Sequence, residues 1–410
     1  MSVGMHHGLG AITEADWQVL VSGEQLEQSK AYLGFREHVE PGDPVLFTVS
    51  DDSGLRGAVH GAVTTSRTAL FSHPWKMLAA GQFLRSDDGS GQVEGHVLAR
   101  QRELLAAVAG ADATDTAWAG ITERLGEAFV VRGFDTSEVI LRGGLSEAER
   151  RASIGSLLQR AQEAVRTGLA GAIALPYVRP GDTELRGLLS EYGFRSGVLT
   201  GVSLFDLSAA ASYDEFVGAL PKRRRRRYRN EQSQFAESGM VLSTVPPTEE
   251  NLKLIVELEA GNSAKYGGSP DLRALLELRR EMAARLGDAV RIPVVEHDGR
   301  IIACGIDLVG RNSYYALVYG CDYSVPDRGL AYPNLSFYSP IRFAAEHGIQ
   351  HVRMGLEAFM PKLIRGARLD LRETWIWTPD RKALDSVGGM LDFLSSRSKT
   401  YFESMTADLD

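Results

Sequence analysis

The sequence is poor in the residues that build covalent or metal-held frameworks. Only Cys304 and Cys321 among its 410 residues are cysteines, which excludes a disulfide framework and a cysteine zinc site. The nine histidines are scattered, and His347 and His351, although spaced for one helix face, are separated by the helix breaker Gly348. HExxH, P-loop and G-x-S-x-G motifs are lacking, so metalloenzymes, nucleotide hydrolases and serine hydrolases are disfavoured, and no cofactor is expected.

Long apolar segments are lacking as well. No stretch approaches about 18 consecutive apolar residues, the length that a membrane-spanning helix requires. The N-terminus has no basic region followed by an apolar one, so no secretory signal is predicted and a cytoplasmic location is expected. Hydrophobic residues make up 44% and charged residues 24% of the chain, as in folded proteins, and the length suits two domains.

Lysine is scarce, whereas arginine is abundant and unevenly placed. Of 45 basic residues eight are lysines and the other 37 are arginines. Seven of these cations form one run, KRRRRRYR, from Lys222 to Arg229, and without them the formal net charge of −8 would become −15. An acidic protein with one concentrated cationic segment indicates a local binding site for a polyanion. The alternative is an arginine-rich helix face that is only solvated.

Alternating strand and helix patterns predict an α/β fold in two domains, residues 1–207 and 208–410, each a mixed twisted sheet flanked by helices. In the first half, strands are expected at 44–50, 54–65, 138–144, 170–178 and 198–207, and helices at 97–109, 118–126, 146–167 and 183–191. In the second half we expect a helical arm at 213–238 broken at Pro221, a strand at 241–245, helices at 249–264, 271–286 and 334–347, a meander over 289–322, a strand at 351–355 and an outer strand at 371–377.

The basic run is predicted to lie in a helix over residues 221–238, between Pro221 and Gly239. Its cations then occupy the first two turns, where the helix dipole favours anions by about 0.3–1 kcal/mol per charge. Like charges four residues apart add repulsion, so the arrangement is best explained by a bound phosphate backbone. The expected phosphate contacts are Lys222, Arg223, Arg224, Arg226, Arg227 and Arg229.

The second chemical signal lies between residues 305 and 377. Tyrosines crowd one strand that ends at Asp322, and the loop 324–334 then leads into a helix whose first amides suit an anionic group. A later loop carries a lysine before an Arg-Gly turn, which suits an oxyanion or a phosphate. Strand packing of the tyrosines and an ordinary solvated loop are the alternatives. The candidate catalytic residues are Lys362, Tyr319 and Asp322, the candidate substrate-binding residues are Tyr315, Arg328, Gly329, Ala331, Asn334 and Glu357, and Arg365 is a further candidate for phosphate.

The order of strand, loop, helix and strand resembles the GNAT N-acyltransferase fold, in which amides at the start of that helix take the pyrophosphate of acyl-CoA. Gly329-Leu330-Ala331 matches the second half of the GNAT pattern Q/R-x-x-G-x-G/A, whereas Pro326 stands where Gln or Arg is expected. The segment EYGFRSG, residues 191–197, looks like the end of a GNAT helix in the first half. The two halves therefore resemble tandem GNAT-like domains.

A more specific resemblance, to FemAB-like proteins, covers about residues 185–377. SYDEFVGALPKRRRRRYRNEQSQFAESG is similar to the helices that open their second domain, and AYPNLSFYSPIRFAAEHGIQHVRMG and PKLIRGARL are similar to a later region. The resemblance implies tandem GNAT-like domains and transfer of an amino acid from aminoacyl-tRNA to an amine. It also implies a lysine near the acyl ester, here Lys362. The coiled-coil arm of members that build peptidoglycan bridges is absent, which disfavours a lipid-linked peptidoglycan precursor as acceptor. Actinobacterial relatives that make amide bonds in small peptide natural products are similar in outline, so the natural-product type is expected.

We therefore expect an acyltransferase that forms an amide bond, with aminoacyl-tRNA as donor, a small amine or peptide as acceptor, and a role in antibiotic biosynthesis. Replacement of Lys362 by Ala is expected to slow transfer and to leave folding nearly unaffected. Two alternatives remain at this point. One is an acyl-CoA-dependent N-acyltransferase in which the arginine run serves the CoA phosphates. The other is a non-catalytic tandem-GNAT protein that binds cell-wall fragments or nucleic acid.

Overall fold

The structure is a computed structural model of the chain, and it describes residues 1–21, 25–80, 95–110, 117–133, 135–265, 267–326 and 328–407. The chain divides into two compact units: unit 1 comprises residues 1–23, 36–201 and 370–410, and unit 2 comprises residues 24–35 and 202–369. This division differs from the expected one at 207/208, because residues 370–410 return to unit 1. There the last strand pairs with residues 173–178.

Unit 1 is built on a mixed sheet. Its strands are β1 (Ser2–His6), β2 (Asp43–Asp51), β3 (Gly54–Val63), β4 (Ala128–Val131), β5 (Ile140–Leu141), β6 (Ala172–Val178), the start of β7 (Arg195–Asp206) and most of β13 (Arg368–Trp377). Their order is β1-β2-β3-β4-β6-β13-β7, with β5 beside β3, and β4 and β6 are parallel. The expected outer strand at 371–377 is therefore wrong in position, since β13 lies between β6 and β7. It is buried there because Trp375, Ile376 and Trp377 are apolar and face the core.

Helices cover this sheet. They are α1 (Glu14–Leu20), α3 (Pro74–Ala79), α4 (Gly95–Ala109), α5 (Ala117–Leu125), α6 (Glu147–Arg166), α7 (Thr183–Glu191) and α15 (Arg381–Ala407), and α2 (Lys30–Val39) passes from unit 2 into unit 1. Helix α6 starts in a capping box, since the Ser146 side chain accepts from the Glu149 amide and the Glu149 side chain accepts from Ser146. Ile154, Leu157 and Leu158 of α6 are buried in the core of the unit.

Unit 2 also has mixed strand pairing. Its strands are the end of β7, β8 (Val241–Val245), β9 (Val290–His297), β10 (Arg300–Val309), β11 (Ser313–Cys321) and β12 (His351–Arg353), in the order β7-β12-β11-β10-β9-β8. The expected meander is β9-β10-β11, and β12 lies parallel to β11. The helices are α8 (Tyr213–Ala219), α9 (Lys222–Glu237), α10 (Glu249–Lys265), α11 (Leu272–Leu286), α12 (Ala331–Pro333), α13 (Ser339–Glu346) and α14 (Phe359–Leu363).

Two features of unit 2 position the candidate residues. Helices α12 and α13 are joined by a π-helical turn over Asn334–Tyr338, so the expected helix at 334–347 exists in an irregular form. The segment between β12 and β13 contains α14 and the candidate Lys362. None of the helices in the described ranges combines the length and apolarity that crossing a membrane needs.

Candidate functional site in unit 2

Helix α9 carries the basic run, as expected from the sequence. Pro221 ends the break after α8 and immediately precedes the first helical residue, and no side chain caps the helix. All seven cations therefore lie in the first two turns of a helix whose N-terminal amides already attract anions.

Four of the cations form an exposed cation face, Lys222, Arg223, Arg226 and Arg229. None of their four side chains makes an ion pair or hydrogen bond with another residue in the part of the chain that the structure describes. Positions 222, 226 and 229 follow the three- and four-residue spacing of one helix stripe. Because a helix rises about 1.5 Å per residue, this stripe is about 10 Å long. The face thus presents unneutralised positive charge to solvent.

The other three cations of α9 are less exposed. Arg225 donates from Nη1 to the carbonyl oxygens of Gly218 and Leu220, at 2.9 and 3.0 Å, and so fastens α9 to the end of α8. Arg227 lies 3.7 Å from the Glu231 carboxylate, one turn later. Arg224 is half-buried between the two faces. Four of the six expected phosphate contacts on α9 thus lie on the exposed cation face, whereas Arg224 and Arg227 are half-buried.

The buried face of α9 docks on the segment that contains the candidate Arg365. Tyr228 is fully buried and donates its hydroxyl to the carbonyl oxygen of Arg365 at 2.9 Å. Glu231 accepts two hydrogen bonds from the Arg365 guanidinium, at 3.0 and 2.8 Å, and a third from the Tyr338 hydroxyl. The rings of Tyr228 and Tyr338 are 4.4 Å apart. Helix α9 is thereby joined to both the lysine segment and the π-helical turn.

Arg365 is occupied by these contacts. Its Nη1 also donates to the Pro361 carbonyl oxygen at 2.7 Å, and its guanidinium lies 4.8 Å from the ring centre of Phe337. The side chain is 9% exposed. A guanidinium that is buried, paired and stacked in this way holds the backbone of its own segment, so the structure does not present it as an open phosphate ligand.

Lys362 is buried in the same segment. The residue is 6% exposed, and its ammonium donates to the carbonyl oxygen of Met354 at 2.6 Å and to that of Glu357. Burial lowers the pKa of Lys362 to about 8, and the Glu357 carboxylate opposes this shift. An ammonium has three donors, so two fasten the turn at 354–357 and one is left. The solvated-loop alternative is contradicted for both Lys362 and Arg365.

The backbone around Lys362 is tightly shaped. Ala358, just before α14, has a left-handed φ of 50°. Gly366, just after it, has a φ of 99°, and an added Cβ would stand 2.6 Å from a methyl group of Leu220. Glu357 contributes its backbone carbonyl, while its side chain is exposed. The compact ammonium of lysine fits between two carbonyls, which explains a lysine at this position in a chain that favours arginine.

The tyrosine strand reaches the same region through aromatic contacts. Tyr319 packs edge-on against Tyr332 at 4.9 Å, Tyr332 packs against Phe337 at 5.3 Å, and Phe337 lies under Arg365. Burial raises the pKa of Tyr319 well above its usual value, so its hydroxyl stays protonated. Tyr315 is fully buried. Strand packing is thus the observed setting of Tyr315, whereas Tyr319 adjoins the candidate site through this aromatic path.

Asp322 ends the tyrosine strand in a turn. Its carboxylate accepts from the Ser324 amide at 2.9 Å and from the Ser324 hydroxyl at 2.6 Å, and it lies 3.6 Å from Arg300. The Ser324 hydrogen bonds hold the pKa of Asp322 below its usual value. A carboxylate of lowered pKa is a weak proton acceptor near neutral pH.

The loop 324–334 is exposed at Gly329, whereas some of its other residues are buried. Gly329 is exposed and has open space where a Cβ would stand. Arg328 donates to the Val325 carbonyl oxygen at 2.9 Å, and Asn334, which is buried, donates to that of Leu330 at 2.9 Å. Ala331 is buried. Residue 327 of this loop lies outside the described residues.

Sequence reasoning missed the residues that join these parts. Glu231 has a visible signal only in its spacing of four from Arg227, and Tyr338 has none. A further group is Asp307 on β10, which accepts from the Tyr314 hydroxyl; burial raises the pKa of Asp307 to about 7, opposed by Tyr314 and by Arg291. The signal for Asp307 is a carboxylate inside an apolar strand.

Comparison with known proteins supports the fold of the chain. A family model named FemAB-like and described as peptidoglycan biosynthesis/recognition matches residues 141–409. The crystal structure of FemX is similar with a TM-score of 0.59 at 11% identity, over 94% of this chain and 100% of that one. A conserved protein of unknown function from Bacteroides thetaiotaomicron is similar with a TM-score of 0.51 at 12% identity, over 90% of this chain and 99% of that one. A search of the curated proteins finds no match.

At these identities the solved structures show the fold. The predicted fold class is confirmed as an α/β protein with mixed strand pairing and flanking helices. The relation of its two units to GNAT domains stays a prediction. The roles of the candidate residues remain predictions.

Proposed function

The chain belongs to the FemAB-like family, and we propose that it is an acyltransferase that moves an aminoacyl group from aminoacyl-tRNA to the amine of a small peptide acceptor. The observation that carries the proposal is the exposed cation face of α9, fastened through Glu231 and Arg365 to the segment of Lys362. This arrangement joins a surface suited to a phosphate backbone with a buried ammonium.

Binding of the donor is proposed for the exposed cation face. Its charges are free of counter-ions in the described chain, and they add to the positive end of the α9 dipole. Each phosphate that displaces counter-ions contributes a salt-dependent share of affinity, and a strand of tRNA offers several in succession. Arg224 and Arg227, which lie beside this face, are proposed to support it.

The chemistry of transfer places modest demands on the protein. The acceptor amine attacks the ester carbonyl carbon, a C–N bond forms, and the C–O bond to the tRNA ribose breaks. The amine releases a proton to solvent and the leaving oxygen gains one. We assign the third N–H of Lys362 to the developing oxyanion, where one donor is worth about 2.7–4 kcal/mol. Tyr319 is proposed to line the acyl group, and Asp322 with the backbone at Gly329 and Ala331 to shape the acceptor side.

The acceptor is proposed to be a small peptide amine. Support comes from the family description, which names peptidoglycan biosynthesis and recognition. A natural-product peptide, as in antibiotic biosynthesis, is the finer form of the same proposal. Tyr315, Arg328, Asn334 and Glu357 are then residues that shape the site behind its surface, since two of them are buried and Glu357 acts through its carbonyl.

The experiment compares donors directly. Purified full-length protein is incubated with tRNA charged with radiolabelled amino acids, or with labelled acetyl-CoA, together with a pool of small amines and peptides. Label that moves from tRNA to an amine, only when the protein is present, supports the proposal. Label that moves only from acetyl-CoA overturns it in favour of the acyl-CoA alternative. Binding of tRNA or cell-wall fragments without any transfer favours a binding protein.

A further inference from the structure

Glu231 joins α9 to two other parts of unit 2 at once. It binds Arg365 at the end of the Lys362 segment through two hydrogen bonds, at 3.0 and 2.8 Å, and it accepts the hydroxyl of Tyr338 at the end of the π-helical turn. The carboxylate therefore lies where the cationic helix, the lysine segment and the aromatic path from Tyr319 meet.

The link between α9 and the Lys362 segment consists of several contacts, and Tyr228 and Arg365 within it are buried. Tyr228, three residues before Glu231, donates its hydroxyl to the Arg365 carbonyl oxygen, so α9 holds both the backbone and the side chain of Arg365. Three hydrogen bonds thus join α9 to this segment. Lys362, three residues earlier, donates to the carbonyl oxygens of Met354 and Glu357, so the turn at 354–357 is connected to α9 through this segment.

The negative charge of Glu231 fits a role in positioning other residues and does not fit a role in binding an anion. Glu231 places a negative charge 3.7 Å from Arg227, and this weakens the attraction of α9 for an anion. A residue that served phosphate binding would carry the opposite charge. A role in fixing the geometry explains why the chain tolerates this weaker attraction for an anion, because misplacement of a catalytic group by about 1 Å costs about 100-fold in rate.

We propose that Glu231 is a positioning residue, which holds the Lys362 segment in register with the exposed cation face so that a donor bound to α9 meets the ammonium with its ester. The inference rests on the proposed function for the identity of the donor. It adds that α9 is part of the catalytic geometry as well as a binding surface.

Glu231→Gln tests this, with Glu237→Gln as the matched control. Glu237 lies on the same helix, is exposed, and accepts from the Ser233 hydroxyl at 2.9 Å. In single-turnover transfer from saturating aminoacyl-tRNA, we expect Glu231→Gln to be about 10- to 100-fold slower with tRNA binding unchanged or tighter. Glu237→Gln is expected to bind at least as tightly as the wild type and to transfer at the wild-type rate.

A milder variant guards against misfolding. Tyr338→Phe removes one hydrogen bond to Glu231, and its effect should vanish in the Glu231→Gln background, because both act through the same contact. Hydrogen exchange of amides 354–366 should quicken in Glu231→Gln and stay unchanged in Glu237→Gln.

The outcomes that overturn the inference are distinct. Wild-type transfer or unchanged exchange in Glu231→Gln removes the link from the mechanism. Equal losses of transfer and of tRNA binding, in step with melting temperature, show a general structural role. A wild-type protein that neither binds tRNA nor transfers from it overturns the proposed function, while the exchange comparison still tests the link.

Discussion

The cations of unit 2 lie in two opposite kinds of environment. The exposed cation face of α9 has no partners in the described chain, whereas Lys362 and Arg365 are buried and donate to carbonyl or carboxylate oxygens. The first arrangement raises the free energy of the folded chain through like-charge repulsion and an opposing dipole. The second holds a backbone turn in place. The comparison shows that exposure leaves the cations of α9 open to a ligand, whereas burial gives Lys362 and Arg365 a part in holding the backbone.

The largest effect is expected from the buried cation. Lys362→Ala should slow aminoacyl transfer by about 100- to 1000-fold, because the proposed oxyanion donor is lost. The structure changes the expectation for folding, since the carbonyls of Met354 and Glu357 lose their donor at a cost of about 1–3 kcal/mol each. Single-turnover kinetics and thermal melting measure the two effects.

Lys362→Arg serves as the control for charge alone. It should not restore full transfer, since a planar guanidinium cannot sit between the two carbonyls as the ammonium does. Full activity in the Ala variant would remove this residue from the mechanism and leave Tyr319 as the next residue to test.

The exposed cation face should show the reverse pattern, with a large effect on binding and none on folding. Replacement of its four cations by Gln removes up to four phosphate contacts, so the slope of log K against log salt should fall by about 2.8–3.6. Stability should hold or rise, because repulsion and the dipole clash are relieved. Titrations of tRNA at several salt concentrations test this. An unchanged slope with a large drop in melting temperature would instead make α9 a structural helix.

The pH dependence of transfer and of stability should further distinguish the buried Lys362 from the exposed cations of α9. Burial lowers the pKa of Lys362 to about 8, so the ammonium is present below that pH and is lost above it. Transfer should therefore fall about tenfold per pH unit above 8, and the residual activity of Lys362→Arg should show no such fall. Stability should change in the opposite direction to activity. The pKa of Lys362 in the folded chain lies below the ordinary 10.5, so the free energy of unfolding rises as the pH increases from about 8 to 10.5. A flat rate profile between pH 7 and 10 would contradict the assigned role.

The smallest effect concerns Arg225, which lies in the same run but on the anchored face. Arg225→Gln loses the hydrogen bonds to Gly218 and Leu220, so unfolding should become easier by about 1–2 kcal/mol. The salt slope of tRNA binding should stay at the wild-type value. A slope that falls by a full phosphate contact would show that the two faces are not distinct.

The parts of this fold that local chemistry determines were predictable from the sequence. The capping box at Ser146 and Glu149, the helix at 183–191 and the strand at 241–245 all rest on neighbours within a few residues, and all are present. The break at Pro221 likewise separates α8 from α9.

The parts that depend on distant contacts were not predictable. Arg365 pairs with Glu231, 134 residues away, and nothing local distinguishes it from a solvated arginine. The burial of Lys362 depends in the same way on a turn that closes around it, and the internal place of β13 depends on β6. The spacing of apolar residues indicates which face of a strand is buried, but it does not indicate which strand will be its neighbour in the sheet.

The pairing of β13 with β6 has a consequence for synthesis. The hydrogen bonds of β6 to β13 join residues 173–178 to residues 373–377, so roughly 200 residues are made between the two partners. At about 5–20 residues per second, that edge of β6 waits about 10–40 s on the ribosome. During this time an apolar strand lacks its final neighbour and is a site for mispairing. We therefore expect nascent chains to need protection by chaperones until β13 emerges, and fragments that stop before residue 371 to aggregate.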